Sequence, residues 1–198
     1  VLSIQGAVSE HAYTIQRVID NSRLRGNVIQ VKQQDDVDKV DALIIPGGES
    51  TTISRMILKL GLYDKIIDKV KNDSLPIMGT CAGCILLAKV ISNDTGLVKT
   101  LQLMDMEVDR NAFGRQKESF EKDVVFDDFK EPYHAVFIRA PVIKRVWGRC
   151  RVLSMIDDKI IVAARQGNLL ALSFHPELTN DTRIHQYFLD VILSLHDR

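Results

Sequence analysis

The segment LPIMGTCAGCILLAKV, residues 75–90, passes from a short apolar stretch through a turn of small residues into a second apolar stretch, and no single strand or helix accommodates all of it. Leu75, Ile77 and Met78 predict a buried strand, and Ile85, Leu86, Leu87, Ala88 and Val90 a buried helix, so the backbone must bend sharply between them. Gly79 and Gly83 make so tight a bend sterically possible. The frame Gly79-Thr80-Cys81-Ala82-Gly83 has the G-x-nucleophile-x-G layout of an elbow, which lifts the central side chain above a sheet and sets it at a helix N-terminus. Unpaired backbone N–H groups and the positive end of the helix dipole favour thiolate over thiol there, and the Ala82 N–H is available to an oxyanion formed by attack. The same residues also read as a buried structural cysteine in a Gly-rich turn, and a base elsewhere in the chain is needed to separate the two readings.

Phe174-His175-Pro176-Glu177 supplies such a base at the end of the apolar stretch 169–174. Residues i and i+2 of an extended chain point the same way, so the Glu177 carboxylate is expected to fix the tautomer and orientation of the His175 imidazole. A lone His at a strand end is more often a polar edge residue, and His-Pro-Glu carries weight only beside the elbow. A third segment, Ile44-Ile45-Pro46-Gly47-Gly48-Glu49-Ser50-Thr51, reads as a buried strand opening into a Gly-rich turn before another helix. It matches neither G-x-x-x-x-G-K-[ST] nor G-x-G-x-x-G, so it is not a phosphate loop. Ser50 or Thr51 reads as the helix N-cap, and a backbone N–H near Gly48 as a second oxyanion donor. In parallel sheets such loops gather at the carboxyl ends of the strands.

Along the chain, 1–4 and 27–31 predict strands, 8–21 an amphipathic helix with Ala12, Ile15, Val18 and Ile19 inward, and 33–41 a polar acidic, solvated connection. A strand at 42–45 precedes two helical stretches over 51–71, punctuated by Gly61. After Val90 the texture changes: 101–109, 119–126 and 133–138 predict strands without long helices between them. Lys144, Arg145, Arg149 and Arg151 around Trp147 read as a solvated basic face, and 152–156 with 160–164 as a hairpin turning at Asp157-Asp158. A helix over 181–195 buries Ile184, Phe188, Val191, Ile192 and Leu195 and leaves His185 and His196 on the surface. The expected architecture is α/β, a three-layer αβα sandwich around a mostly parallel, flavodoxin-like sheet with an antiparallel extension, in one domain over 1–198.

Twenty-six basic residues balance twenty-six acidic ones, which argues against nucleic acid or an anionic membrane as the main partner. Three cysteines, with no signal-peptide pattern and no long apolar run, predict a cytoplasmic protein. No cofactor motif is present, and no metal is expected, because one C-x-x-C lacks two further ligands at suitable spacing.

Together, Gly-x-Cys-x-Gly, Pro-Gly-Gly-Glu-Ser and the closing His-Pro-Glu resemble the triad (class I) glutamine amidotransferases, in which a Cys-His-Glu set hydrolyses the side-chain amide of glutamine. The blocks Leu2-Ser3-Ile4-Gln5-Gly6-Ala7-Val8, Arg110-Asn111-Ala112-Phe113-Gly114-Arg115-Gln116, Phe137-Ile138-Arg139-Ala140-Pro141 and Ala164-Arg165-Gln166-Gly167-Asn168 are similar to the glutaminase subunits of pyridoxal 5'-phosphate synthase. With His-Pro-Glu they spread the likeness over nearly the whole chain. The Gly that usually precedes the first strand in that family is not present, and Val1 already lies in a strand-like segment, so the natural chain is expected to begin a residue or two earlier.

The resemblance implies catalysis by Cys81, His175 and Glu177, with an oxyanion hole at Gly48 and Ala82. It implies that Arg110 holds the α-carboxylate of L-glutamine and that Gly48, Glu49, Ser50, Ile138 and Arg139 complete the pocket. Such a bidentate fork suits a carboxylate. Read without the family, Arg110 is a surface ion pair with Asp109 or Glu107. Gln5 becomes a secondary site candidate by resemblance, and otherwise an amide capping a turn. The resemblance further implies a hetero-oligomer with a (β/α)-barrel synthase subunit that receives the ammonia, since nothing in this chain looks like a site for sugar phosphates.

Cys81-Ala82-Gly83-Cys84 is also a C-x-x-C at a helix start, the layout of thiol–disulfide redox sites. The family usually carries an aliphatic residue at 84, and Cys84 reads as a small buried hydrophobe in its place. Cys81→Ser is expected to abolish glutamine hydrolysis and Cys84→Ala largely to spare it, measured as glutamate release; equal loss in both favours the dithiol.

Overall fold

The structure, a computed structural model, describes residues 1–22, 25–92, 94–110 and 119–196, and only the backbone of 192, 193, 195 and 196. Helices α1 (Val8–Asn21) and α2 (Gln34–Asp38) precede strand β1 (Leu43–Ile45), helices α3 (Ser50–Lys59) and α4 (Leu62–Asp73), strand β2 (Ile77–Thr80) and helix α5 (Ala82–Leu87). Strands β3 (Ala88–Ile91), β4 (Met104–Asp109), β5 (Ser119–Val124), β6 (Tyr133–Ile138), β7 (Val142–Val146), β8 (Arg151–Ile156), β9 (Ile160–Gln166) and β10 (Leu169–Leu172) follow, then a 3-10 turn (Pro176–Leu178) and helix α6 (Arg183–His196).

Every residue of β1, β2 and β10 is buried, as an apolar strand requires when both faces of its sheet are covered. Side chains alternate between two cores. Leu43, Ile45, Ile77, Leu169 and Ala171 join Ile53, Ile57, Leu62, Ile66 and Ile85 of α3, α4 and α5. Ile44, Met78, Leu170 and Leu172 join Ile15 and Val18 of α1 and Ile184, Phe188 and Leu189 of α6. Those two helical layers with the sheet between them are the αβα sandwich expected.

The main sheet runs β1-β2-β10-β9-β7-β4-β3, with β8 paired to β9. Strands β1, β2 and β10 are mutually parallel, whereas β9 is antiparallel to β10, and β7 to both β9 and β4. The separate hairpin β5–β6 lies against the second core, where Tyr133, Phe137 and Phe126 meet Phe174. Among the described residues no helix is long and apolar enough to cross a membrane.

Several elements depart from the sequence expectation. The strands expected at 1–4 and 27–31 reduce to one parallel bridge, Leu2 with Val31, although Leu2 N–H also donates to Ile44 O at 2.9 Å and so joins this edge to β1. The acidic connection 33–41 contains α2, which opens on a capping box at Gln33 and Asp36 and buries Val37. Helix α5 stops at Leu87, and Ala88 and Val90 lie in β3, where pairing with β4 supplies the hydrogen bonds that another helical turn would have made. The basic stretch at 144–151 hides β7, whose Lys144 and Arg145 project to solvent while Val142 and Ile143 face inward. His185 is fully buried, and the side chains of Ile192, Leu195 and His196 lie outside the described residues, as do 111–118.

The hairpin between β8 and β9 turns where expected, with Asp157 and Asp158 both left-handed at φ 50° and 54°. Asp158→Gly removes a conformation that costs an L-residue about 1–2 kcal/mol, offset in part by glycine's entropy in the unfolded chain, for a net gain of up to about 1 kcal/mol. A thermal melt followed by circular dichroism is expected to shift upward; a downward shift would mean that the Asp158 side chain itself holds the turn.

Candidate active site

Three neighbouring parallel strands, β1, β2 and β10, each run out at their carboxyl ends into one of the segments singled out by sequence. Leu172 is in register with Thr80, and the next residue, Cys81, donates its backbone N–H to Leu172 O at 2.8 Å. This pairing brings the elbow beside the strand that leads to His175. Cys81 sits at φ 49° and ψ −102°, a conformation that costs a non-glycine residue about 1–3 kcal/mol and aims its side chain away from both strand and helix. The approach of α5 to the sheet is equally tight: a Cβ on Gly83 would lie 2.1 Å from Ile45 O.

His175 N–H donates to Val136 O of β6 at 2.8 Å, and Phe174 is buried among the aromatic rings beneath the hairpin. The imidazole lies beside Cys81 on one side, where a Cβ on Gly47 would meet both residues, and its Nδ1 lies 2.7 Å from Glu177 Oε1 on the other. Glu177 reaches it through the 3-10 turn rather than by the extended i, i+2 geometry, because Pro176 starts a turn instead of prolonging the strand. Cys81, His175 and Glu177 are all buried. Burial opposes charge on His175, but its interactions with Cys81 and Glu177 outweigh it and raise its pKa to about 10. Burial likewise opposes the Glu177 carboxylate, and His11 and His175 outweigh it, lowering its pKa to about 2.

The loop after β1 closes the other side. A Cβ on Gly47 would lie 2.4 Å from His175 Cε1 and 3.2 Å from Cys81 Cβ, so only glycine lets this loop pass the pair. Glu49, not Ser50 or Thr51, caps α3: its carboxylate accepts from Thr51 N–H at 2.9 Å and Thr52 N–H at 2.6 Å. Gln5 Oε1 accepts from Glu49 N–H at 2.8 Å, which puts Gln5 against Gly48 and ties the first loop to this one. Arg110 leaves Glu107 to Arg145 and reaches Thr51 Oγ1 at 3.3 Å and Glu49 Oε1 at 3.8 Å. Ile138 O of β6 accepts from Cys81 Sγ at 3.7 Å, and Arg139 follows at φ 44°. Ala82 and Ser50 are the first residues of α5 and α3.

A model of the SNO glutamine amidotransferase family matches residues 1–194. The chain belongs to that family. Among relatives, the pyridoxal 5'-phosphate synthase subunit PdxT of Methanococcoides burtonii is 48% identical over 198 residues, with 98% of each chain covered. That of Staphylothermus marinus is 46% identical over 201 residues, again with 98% of each covered. A crystal structure of a glutamine amidotransferase superposes with a TM-score of 0.88 at 41% identity, covering 96% of both chains. A candidate GMP synthase subunit from Thermoplasma acidophilum, at 14% identity and TM-score 0.69, shares the fold alone.

In this glutamine amidotransferase Cys84 is fully buried, and burial drives its thiol far above the usual range, so it is a poor partner for dithiol exchange with Cys81. All three cysteines are free. Among the described residues no group of three or more His, Cys, Asp or Glu could hold a metal ion.

Behind the carboxylate lies a buried pair that sequence reading missed. His11 of α1 stands 3.2 Å from Glu177 Oε2, 3.0 Å from Thr80 Oγ1 and 3.1 Å from His185 of α6. Its only signal in the sequence is spacing: His11 continues the stripe of Thr14, Ile15 and Val18, as His185 adjoins Ile184, Phe188 and Leu189. Burial, aided by His11, lowers the pKa of His185 from the ordinary 6.5 to about 3. Between those values the unfolded chain binds a proton that the folded chain excludes, so this contribution is full above 6.5 and is lost as pH falls toward 3. The thermal midpoint of His185→Phe is expected to fall less than that of the unaltered chain between about pH 7 and about pH 5; an equal fall places the acid sensitivity elsewhere.

Proposed function

We propose that this chain hydrolyses L-glutamine to L-glutamate and ammonia through a glutamyl thioester on Cys81, and that the ammonia passes to a partner synthase subunit making pyridoxal 5'-phosphate. The observation that carries the reading is Cys81 set beside a His175 imidazole held by Glu177, both against Gly47 at the mouth of three parallel strands. With its pKa raised, His175 takes the proton of the Cys81 thiol, and the sulfur so freed attacks the carboxamide carbon. The tetrahedral oxyanion accepts from backbone N–H groups of Ala82 and Gly48, beside which the missing Cβ of Gly47 leaves room for the reacting atoms.

His175 then protonates the departing ammonia. Having given up that proton, and with no charge on the thioester sulfur to draw one back, the imidazole is neutral and free to take a proton from the attacking water, which releases glutamate and restores the Cys81 sulfur. Glu177 keeps the ring oriented through both steps. Arg110, beside Glu49 and Thr51, binds the α-carboxylate of glutamine, and Glu49, Ser50 and the backbone at Ile138 and Arg139 complete the pocket. Desolvation opposes charge on Glu49, but hydrogen bonds from Thr51 and Thr52 outweigh it and hold the pKa near 2, so the carboxylate is ionised and suits the α-ammonium of the substrate. The proposed partner is a (β/α)-barrel synthase in a hetero-oligomer, in keeping with relatives that are themselves pyridoxal 5'-phosphate synthase subunits. The proposed setting is the cytoplasm, where a nucleophilic thiol stays reduced.

Glutamate release is expected from the chain mixed with the synthase subunit, at a rate above that of the chain alone. Mass spectrometry after treatment with an electrophilic glutamine analogue is expected to find the adduct on Cys81. A rate independent of partner concentration counts against the partnership, and an adduct on Cys84 or Cys150 against the nucleophile.

A further inference from the structure

The Glu177 carboxylate is shared. Oε1 is taken by His175 Nδ1 at 2.7 Å, while Oε2 is buried, has no aligned hydrogen bond, and has His11 Nε2 at 3.2 Å. The same His11 nitrogen lies 3.0 Å from Thr80 Oγ1, and that oxygen accepts the Gly47 N–H at 3.0 Å. Thus one imidazole touches both the orienting carboxylate and the hydroxyl that holds the glycine loop beside Cys81.

Proton accounting selects the tautomer. If His11 carried its proton on Nδ1, it would donate to His185 Nε2, and His185 Nδ1 would be a buried N–H without an acceptor. The bare His11 Nε2 would also face a carboxylate oxygen lone pair to lone pair. With the proton on Nε2, His11 donates toward Thr80 Oγ1 and Glu177 Oε2 and accepts from His185 Nε2–H. Only a bare imidazole lone pair on His185 Nδ1 is then left over, which costs less than an orphaned N–H. The donors run in one direction, His185 to His11 and His11 to Thr80, with the His11 Nε2–H edge 3.2 Å from the carboxylate that His175 holds from the other side.

We propose that His11 is a positioning residue, its Nε2–H holding Glu177 from behind and, through Thr80, fixing the Gly47 turn, so that base and oxyanion loop keep one alignment. The inference rests on the triad reading given above and deepens it. His11 is buried beneath Glu177 and Thr80, so its loss is expected to lower kcat and leave KM for glutamine nearly unchanged. Among the described residues the titratable groups that meet it are His185 of α6 and Glu177 of the 3-10 turn, with His175 beyond Glu177.

The test compares two polar substitutions in the complex with the synthase subunit. Gln sets an amide N–H near the site of Nε2, whereas Asn reaches only the site of Nδ1. His11→Asn is expected to lower kcat by about 10- to 100-fold, the scale of a small misalignment of reacting groups, with KM little changed. His11→Gln is expected to recover most of that loss. Asn and Gln variants of equal kcat overturn the proposal, whether both are active or both impaired. Thr80→Val, nearly isosteric, cuts the link to Gly47 and is expected to lower kcat with KM kept; unaltered kcat in this variant overturns the coupling even if the His11 variants do not fold. Cys81→Ser in the same assay separates the two levels. If it retains activity the triad reading fails, whereas if it is dead and His11→Asn is fully active, only the positioning role fails.

Discussion

The parallel pairing of β2 with β10 is the contact on which the site depends. Cys81 and His175 lie far apart in the chain, yet the register that sets Thr80 opposite Leu172 leaves each of them just beyond the end of neighbouring strands. A slip of one residue would turn every side chain of one strand to the opposite face and exchange the two cores. The alternation of Leu169 and Ala171 into one core and Leu170 and Leu172 into the other makes such a slip costly. Burial of the strands therefore sets the chemistry at their ends, although none of their apolar side chains takes part in it.

Local strain and its support are divided between different parts of the chain. Cys81 holds an unfavourable backbone conformation, and β10, α5 and the β1 loop pack around it closely enough to keep it there. The hairpin β5–β6 secures the other arm by taking the His175 N–H on Val136 O and setting Ile138 O near the Cys81 sulfur. Tertiary contacts from both halves of the molecule thus meet on residues whose own conformational preferences would not keep them in position.

Much of this was legible from short-range pattern, because turns, elbows and caps are written in adjacent residues. The Gly-x-Cys-x-Gly bend, the helix of 8–21 and the Asp157-Asp158 hairpin needed no knowledge of their neighbours. What failed depended on such knowledge. Ala88 and Val90 suit a helix until β4 is available to pair with them, and the charges of Lys144 and Arg145 obscure β7 because only its other face is buried. His185 looks like a surface residue and His11 carries no mark in the sequence, since a histidine is polar and its partner is supplied by an element distant in sequence. Within the site, the motif residues were identifiable singly. The contact between Arg110 and Glu49, and the bond from Glu49 N–H to Gln5, depend on the folded arrangement of three loops.

Every residue of strands β1, β2 and β10 is buried, so a replacement there is met by packed protein. Strands β3, β7 and β8 each keep exposed positions. Evolutionary drift in a chain of this shape is therefore channelled to strands with a solvent-facing side, and its three fully buried strands act as an archive from which descent can still be read long after the others have diverged.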